Sequence, residues 1–393
     1  MRLAFESSLL LRNTVFVKTA HEFIVIEQPL LPALRMILRF MPWLLLACTL
    51  SAQDLNSLLA PNLADGFDFP VGGADASAGY KDQATKRWHK KWSVSETVID
   101  ALALESHETW NGSGGGDTDA NQPVYTLAAG TVTDVKEGEV WLEHRFLDNG
   151  QPQHVLTGYT GIHACTLKPG DTVKRRQRIA QIAPGSNGSP AQLTLTLRHL
   201  LYAEAATWPQ SVSTFIRSHK RLLVPAKEER VLIAVKHAYQ IHFCEKGQVK
   251  HALPIALGQD GRQRKMTDGD NGTPVGEYRI TQKAKGPFDG ESGAYLGAAW
   301  LRLGYPNAFD ARTALSEKRI SKREHDRIAA AALHGSLAPT DTSLGGGIGI
   351  HGWISDWPDG HHHLTWGCLS MRKADLLQVH DLVKKGTRVL ILP

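Results

Sequence analysis

The sequence predicts a mainly β protein with two all-β domains, the second of which carries a helical insert. Short runs of alternating apolar and polar residues, separated by turns rich in Gly and Pro, recur from residue 123 onwards and are typical of antiparallel strands. Helical periodicity is confined to about 317–332 and 371–385. The chain has 393 residues, 42% of them hydrophobic and 21% charged, which suffices for two or three domains with cores of their own.

Charge and cysteine content exclude several classes of protein. The 44 Lys and Arg against 39 Asp and Glu give a net charge of +5, without the dense basic cluster that nucleic-acid binding requires. The composition also excludes a collagen-like, disordered or multi-span membrane protein. The cysteines contain no CxxC pair and are too few for a disulfide scaffold, so neither a zinc motif nor a redox pair is predicted: Cys48, Cys165, Cys244 and Cys368.

Residues 1–52 form the predicted leader. From Met36, a cationic start, a short apolar run and small residues have the layout of a secretory signal peptide, and Met36 is the predicted true start. The apolar run contains Pro42 and is shorter than the roughly 20 residues of a membrane-spanning helix, so no transmembrane span is expected. The four residues ending at Cys48 resemble a bacterial lipobox, which leaves a lipid anchor there as an alternative to cleavage near Ala52. Either route predicts a periplasmic or cell-envelope protein.

The first predicted β domain spans residues 60–205. Its strands follow a Gly-rich loop at 110–117 and are predicted at 123–127, 130–135, 140–144, 155–159, 172–182 and 193–197. Residues 206–227, with prolines and scattered charges, are predicted to connect this domain to the next.

The motifs at 123–132 and 169–180, in this order of strands, resemble the LytM-like (lysostaphin-type) zinc endopeptidases of the cell wall. The resemblance implies that the metal and catalytic positions of that family correspond here to Glu105, Thr109, Gly161, Gln192, Leu193 and Thr194. Of these residues, Glu105 alone could bind zinc. A catalytic zinc needs at least three ligands and an open position. We therefore predict a degenerate domain without metal that holds peptidoglycan or an envelope protein partner, or serves as a spacer. A site shifted onto nearby histidines is the alternative: His107, His144, His154 and His163.

The second predicted β domain spans residues 228–393 and carries the chemistry of the chain. Strands are predicted at 230–236 and 239–244, and the helical insert lies at about 317–332. A strand ending in His351 and Gly352 is followed after a loop by Gly367 and Cys368, and such a layout can place an imidazole beside a thiol. The residues alone predict a cysteine nucleophile.

The sequence offers two ways to activate the Cys368 thiol. His351 would hold an ion pair with Cys368 and later protonate the leaving amine. Ser370 would cap a helix over 371–385, whose dipole would favour the thiolate. Backbone amides around Gly367 and Cys368 are the predicted oxyanion donors.

The motifs at 269–278, 305–307, 350–352 and 365–368 resemble the YkuD-type L,D-transpeptidase catalytic domain. The resemblance implies a β-sandwich-like fold and a cofactor-free acyl transferase that acts on peptidoglycan stem peptides. It implies Cys368 as nucleophile and His351 as base, with Gly352, Thr365 and Gly367 shaping the site. The thiol would attack the carbonyl of the third stem residue and expel the terminal D-Ala, and an amine or water would resolve the acyl-enzyme.

Two positions depart from the common pattern of that family. Trp366 stands where a histidine often precedes the Gly-Cys pair, and Ser370 stands where an arginine or asparagine often helps to bind the acyl donor. Both are therefore candidate substrate-binding residues. Nearby, the run His361, His362 and His363 is predicted to form a polar lid over the donor cleft, with a metal cluster as the alternative.

Other choices stay open at this point. Cys165 and Cys244 are expected to be packing residues, with a disulfide between them as the alternative. The leading function is an envelope L,D-transpeptidase, and a hydrolase that uses the same acyl-enzyme is the second. A non-catalytic regulator of other wall hydrolases is the third.

Overall fold

The computed structural model describes residues 15–18, 23–26, 55–71, 92–100, 104–112, 119–186, 188–199, 210–261, 263–290, 293–334, 336–357 and 359–393. The chain divides into two compact units, Met1–Asp54 and Leu55–Pro393. In the first unit, strand β1 (Val15–Lys18) pairs antiparallel with β2 (Phe23–Ile26). The predicted signal segment with Met36 and Cys48 lies outside the described residues. Among the helices that are described, none has the length and apolar character needed to cross a membrane.

The larger unit begins with a short helix and two antiparallel sheets. Its elements up to residue 199 are α1 (Leu55–Leu58), β3 (Trp92–Asp100), β4 (Glu105–Gly112), β5 (Pro123–Tyr125), β6 (Gly130–Lys136), β7 (Glu139–Asp148), β8 (Gln151–Thr160), β9 (Ile162–His163), β10 (Thr172–Val173), β11 (Arg178–Ile182) and β12 (Leu193–His199). The seven-stranded sheet has the order β10-β6-β7-β8-β12-β4-β3, and the three-stranded sheet has the order β5-β11-β9.

Strands β3 and β4 lie outside the predicted strands because their sequences lack an apolar alternation. The core-facing residues of β4 include Ser106 and Glu108 beside Trp110, so its buried face is largely polar. The buried Glu108 carboxylate is satisfied by the Ser213 hydroxyl, which donates to it at 2.6 Å. On β3, Val94 and residues 96–100 are exposed, so the side chains described for that strand show no buried face that would reveal it in the sequence.

Aromatic rings fill the core beside the seven-stranded sheet. Phe67 packs edge to face on Phe146 and Phe215, with ring centroids 5.3 and 4.8 Å apart. Phe215 belongs to helix α2 (Val212–Ser218), which Ser211 caps by accepting a hydrogen bond from the Thr214 amide. Because α2 lies within the segment 206–227, part of that predicted connection packs into the first core.

The rest of the larger unit is built on an eight-stranded sheet. Its elements are α2, the 3-10 turns Pro225–Lys227 and Lys236–Ala238, β13 (Arg230–Val235), β14 (Gln240–Glu245), β15 (Gln248–Pro254), β16 (Leu257–Gly258), β17 (Gly276–Lys285), α3 (Gly293–Leu296), β18 (Ala299–Leu303), α4 (Ala308–Ser316), α5 (Lys322–Leu333), β19 (Gly349–His351), β20 (His363–Thr365), β21 (Leu369–Ser370), α6 (Lys373–Leu382) and β22 (Arg388–Leu392). The strand order is β15-β14-β13-β22-β17-β18-β19-β21, and β16 pairs in parallel with β20 in a separate ladder. The prediction of a mainly β protein is confirmed.

The helical insert consists of two helices, α4 and α5, where the sequence predicts one. Capping boxes start both helices, formed by Asn307 with Asp310 and by Ser321 with Glu324. Between them, Lys318 has a φ of 58°, a left-handed conformation that interrupts a continuous helix.

Strand β13 is buried on both faces. Leu232 and Ala234 face the core that includes α4, α5 and α6, whereas Val231 and Ile233 join a cluster with Leu147 at the end of β7. Alternate strand residues point to opposite faces, so one strand serves both clusters. The first sheet therefore contributes to the packing of the eight-stranded sheet.

Polar contacts reinforce this packing at the turn between β7 and β8. The side-chain oxygen of Asn149 accepts hydrogen bonds from the Glu277 amide at 3.2 Å and from the side-chain amide of Asn307 at 3.1 Å. Asn149 has a φ of 46°, which asparagine tolerates in tight turns. The hairpin tip is thus held against the start of β17.

Candidate active site

The turn from Thr365 to Cys368, here called the nucleophile turn, connects β20 to β21. The Thr365 hydroxyl donates to the Cys368 carbonyl at 2.6 Å and accepts from the Gly367 amide at 3.3 Å. Gly367 has a φ of 118°, and a Cβ there would lie 2.8 Å from the Gly272 carbonyl oxygen, so glycine alone fits. Thr365 and Gly367 therefore shape the turn that presents the thiol.

His351 lies on the strand next to this turn. In the parallel pair of β19 and β21, Ile350 is opposite Leu369 and His351 is opposite Ser370. The Cys368 thiol donates to the carbonyl of Gly347 at 3.7 Å, just before β19. The backbones that carry the imidazole and the thiol thus run side by side.

Two carbonyl groups define the tautomer of His351. Its Nδ1 lies 3.0 Å from the Tyr295 carbonyl oxygen and 2.7 Å from that of Gly352. Because carbonyl oxygens only accept, Nδ1 carries the proton, and the Nε2 of the neutral ring is the acceptor. This is the form that a general base requires.

Burial keeps both groups neutral. Burial lowers the pKa of His351, although the Gly352 and Tyr295 carbonyls oppose this shift. Burial also raises the pKa of the Cys368 thiol to about 11, and the Lys265 ammonium opposes this shift. Both shifts favour the neutral thiol and the neutral imidazole over the expected ion pair, which stays a prediction.

The expected helix start behind the cysteine also needs correction. Ser370 lies in β21, and helix α6 begins at Lys373 after Arg372 as N-cap, without a side-chain cap. The Met371 amide donates to the His351 carbonyl at 2.8 Å, so pairing with β19 continues past Ser370 and delays the helix. Cys368 is thus separated from the helix terminus by a strand.

Ser370 supports the histidine. It is fully buried, and its hydroxyl donates to the Gly352 carbonyl at 2.8 Å, the same oxygen that accepts from His351. The hydroxyl is thus already bonded in the interior, which does not favour the predicted contact of Ser370 with substrate. The Gly367 amide, a predicted oxyanion donor, is likewise engaged by Thr365.

Lys265 is a site residue that the sequence reasoning missed. Its side chain is 3% exposed, and Nζ donates to Asp270 at 2.9 Å and to the Thr267 carbonyl at 3.0 Å. Asp270 also accepts from the Gly272 amide at 2.9 Å, and the Gly272 carbonyl contacts Gly367. The signal was the Lys-x4-Asp spacing that leads into the motif at 269–278.

Three aromatic side chains near His351 and Cys368 contact one another. Tyr295 contacts Trp353 and Trp366 edge to face, with ring centroids 5.2 and 5.3 Å apart, and the two indoles are 6.1 Å apart. Trp366, a predicted substrate-binding residue, is 56% exposed. Of the two departures from the family pattern, Trp366 is the one at the surface.

The predicted histidine lid is anchored to a tyrosine. His362 stacks on Tyr239 with ring centroids 4.2 Å apart, and His363 Nε2 lies 3.0 Å from the Tyr239 hydroxyl. Within the described parts of the chain, no three His, Cys, Asp or Glu side chains come together as metal ligands. Cys165, Cys244 and Cys368 are free thiols, so the alternative disulfide does not form.

Thr109 and Thr194, which the resemblance to LytM-like endopeptidases assigns to the metal site, lie on paired strands of the seven-stranded sheet. Thr109 on β4 is opposite Thr194 on β12, and their hydroxyl oxygens are 3.1 Å apart. Glu105 accepts from Arg198 at 2.5 Å and lies 2.9 Å from His107. A hydroxyl pair and an engaged carboxylate do not fit zinc.

Two histidines of the alternative metal site, His144 and His154, are engaged in other contacts. His144 is fully buried between the Ala129 carbonyl and the Thr157 hydroxyl, and burial lowers its pKa to about 4. His154 pairs with Glu143. These contacts are those of packing residues.

The carboxyl-terminal part of the chain is similar to a known protein family. Residues 229–391 match the YkuD family, whose description is L,D-transpeptidase catalytic domain. A comparison with curated proteins gave no match.

Several solved structures are similar to part of the chain. The helical cell shape determining protein Pgp2 from Campylobacter jejuni is 21% identical, with 41% of this chain and 46% of that chain covered and a TM-score of 0.28. An Enterococcus faecium L,D-transpeptidase is 15% identical, with coverages of 42% and 50% and a TM-score of 0.25. For Mycobacterium tuberculosis L,D-transpeptidase 1 the values are 14%, 42% and 62%, with a TM-score of 0.24. This chain spans about half the length of the first of these proteins. The similarity to the YkuD-type L,D-transpeptidase catalytic domain thus lies in residues 229–391.

Proposed function

We propose that residues 228–393 catalyse L,D-transpeptidation on peptidoglycan stem peptides, with Cys368 as the nucleophile and His351 as the base. The observation that carries this proposal is the pairing of β19 with β21, which sets a histidine of defined tautomer beside the strand of the cysteine. The family match of the same residues supports it.

The neutral pair sets the order of proton transfer. Nε2 of His351 takes the thiol proton as Sγ attacks the carbonyl carbon of the third stem residue. The proton then passes to the nitrogen of the terminal D-Ala, which leaves as the amine of a free amino acid while a thioester remains on Cys368. Backbone amides at the nucleophile turn, Cys368 foremost, would stabilise the oxyanion.

Resolution of the thioester reverses these roles. The amine of a second stem peptide attacks the thioester carbonyl, His351 accepts its proton, and Cys368 leaves as the thiol. Attack by water would give a tripeptide instead. Both outcomes regenerate the same resting site.

Product analysis tests this function. Purified full-length protein is incubated with disaccharide-tetrapeptide, and the products are separated by mass. We expect free D-Ala and a dimer linked between the third residues of two stems, and neither product with Cys368→Ala. Tripeptide without dimer would assign hydrolysis, and turnover by Cys368→Ala would contradict the proposal.

For the first sheet we propose a LytM-like accessory domain without hydrolytic activity, which holds peptidoglycan or an envelope protein. The Thr109 and Thr194 hydroxyl pair and the ion pair of Glu105 with Arg198 support the loss of the metal. Elemental analysis of purified protein should find less than stoichiometric zinc. One tightly bound zinc per chain would contradict this assignment.

We also propose that the chain acts in the cell envelope, reached through the leader at residues 1–52. The domain boundaries at 60–205, 206–227 and 228–393 belong to the same proposal. Amino-terminal sequencing and mass measurement of the exported protein distinguish cleavage near Ala52 from a lipid-modified Cys48. An unprocessed chain in the cytoplasm would contradict export.

A further inference from the structure

An exposed aromatic surface lies at the candidate active site. We call Tyr295, Trp353 and Trp366 the aromatic platform, because each ring contacts the other two with centroids 5.2–6.1 Å apart. Trp366 is 56% exposed, and Ile354 beside Trp353 is 58% exposed. Exposed rings that contact one another form a contiguous apolar patch, which is the kind of surface that marks a candidate ligand-binding site.

The aromatic platform is attached to both reacting residues. The Tyr295 carbonyl accepts from Nδ1 of His351, Trp353 follows His351 by two positions, and Trp366 precedes Cys368 by two positions. A ligand on these rings is therefore held at a fixed place relative to the thiol and the imidazole.

A cleft continues from the aromatic platform. Its volume is about 640 Å³, and Trp353 lines it together with Gly352, Lys285 and Lys373. A ligand of several groups can thus extend from the rings into this space. The cleft carries charges of both signs, because Asp356 also lines it and Lys285 Nζ pairs with Asp381 at 2.8 Å.

The chemical groups of the proposed substrate determine which part of it can bind to the aromatic platform. Stem peptides carry small alanine methyl groups, carboxylates and amines, and of these only an ammonium group binds the face of an indole. The glycan carries pyranose rings whose C–H bonds form a flat apolar face. Tyr295 contacts both indoles edge to face and the indoles are tilted against each other, with all centroids only 5.2–6.1 Å apart, unlike the aromatic cages that enclose an ammonium group.

We propose that the aromatic platform is a glycan subsite that stacks on a hexosamine ring of the donor strand. The inference rests on the proposed function, since it takes peptidoglycan as the substrate. It makes the enzyme selective for stem peptides attached to sugar over free peptides.

The test compares kcat/KM for disaccharide-tetrapeptide and for the free tetrapeptide. An aromatic contact contributes about 0.5–1.5 kcal/mol, which corresponds to a preference of about 2- to 12-fold for the disaccharide substrate. Trp366→Ala should abolish this preference, so that the ratio of kcat/KM for the two substrates falls to about 1 in this variant. Trp366→Phe should keep part of it, and Ile354→Ala, an equally exposed apolar neighbour without a ring, should keep all of it.

Equal losses on both substrates in Trp366→Ala would overturn the inference, since a purely structural role predicts them. A wild type without preference would overturn it too. Calorimetric binding of the unreactive disaccharide-tripeptide and of the free tripeptide provides a readout that does not need turnover. If the sugar strengthens binding to the wild type but not to Trp366→Ala, the subsite stands even where the proposed function fails, and equal binding would refute it.

Discussion

Thr365 offers the sharpest test of how the nucleophile turn is held. Its hydroxyl donates to the Cys368 carbonyl at 2.6 Å and accepts from the Gly367 amide at 3.3 Å, and its side chain is buried. Thr365→Val keeps the shape and removes both hydrogen bonds. Each bond contributes about 0.5–1.5 kcal/mol, so the substitution costs about 1–3 kcal/mol.

The measured effect depends on whether the lost free energy affects the presentation of the thiol or the stability of the whole domain. If it falls entirely on presenting the thiol, the acylation rate drops by about 5- to 160-fold. If it falls on the whole domain, the free energy of unfolding drops by about 1–3 kcal/mol. Single-turnover acylation followed by intact mass, and urea denaturation of the same samples, measure both quantities.

A matched control separates the hydroxyl from the rest of the side chain. Thr365→Ser keeps the hydroxyl and loses a methyl group, so most of the acylation rate should survive. A valine variant that equals the wild type in both rate and stability would refute the assigned role of these two bonds.

Three further expectations concern the charges and bonds around the thiol. The rate of Cys368 alkylation by iodoacetamide should rise about tenfold per pH unit from about pH 7 to 10, because a pKa raised to about 11 leaves the thiol protonated below that pH. A rate that reaches a plateau below neutral pH would instead indicate an ion pair. Lys265→Met should move this pH profile to higher pH, because the Lys265 ammonium lowers the pKa of Cys368. The control Lys236→Met removes another lysine buried under the same loop and should leave the profile in place. Equal shifts in both variants would show that the loop and not the charge matters. Ser370→Ala should lower the free energy of unfolding by about 0.5–1.5 kcal/mol through loss of the bond to Gly352, and an unchanged denaturation midpoint would contradict that bond.

Local motifs could locate the candidate site but not its electrostatics. The His-Gly and Gly-Cys pairs lie on β19 and beside β21, whose pairing brings both segments to one edge of the sheet. The protonation states depend on burial and on charges distant in sequence, such as the Lys265 ammonium, and no local pattern reports either. The catalytic roles of His351 and Cys368 stay a prediction.

The helix expected after Ser370 shows a different limit. The residues from 371 onward have helical periodicity, but backbone pairing of Met371 with His351 postpones the start of the helix to Lys373. Tertiary hydrogen bonds at a helix start thus override the capping preference of a serine. In β3 the opposite problem arises, since the side chains described for this edge strand, Val94 and 96–100, are all exposed and produce no apolar alternation.

The central claim is that Cys368 forms a thioester with the stem peptide. Full-length protein is mixed with disaccharide-tetrapeptide, quenched in acid within the first turnover, and measured by intact mass and peptide mapping. We expect a mass increase equal to the substrate minus D-Ala, located on the peptide that contains Cys368 and absent from Cys368→Ala. D-Ala release without any adduct on that peptide, or an adduct on another cysteine, would contradict it.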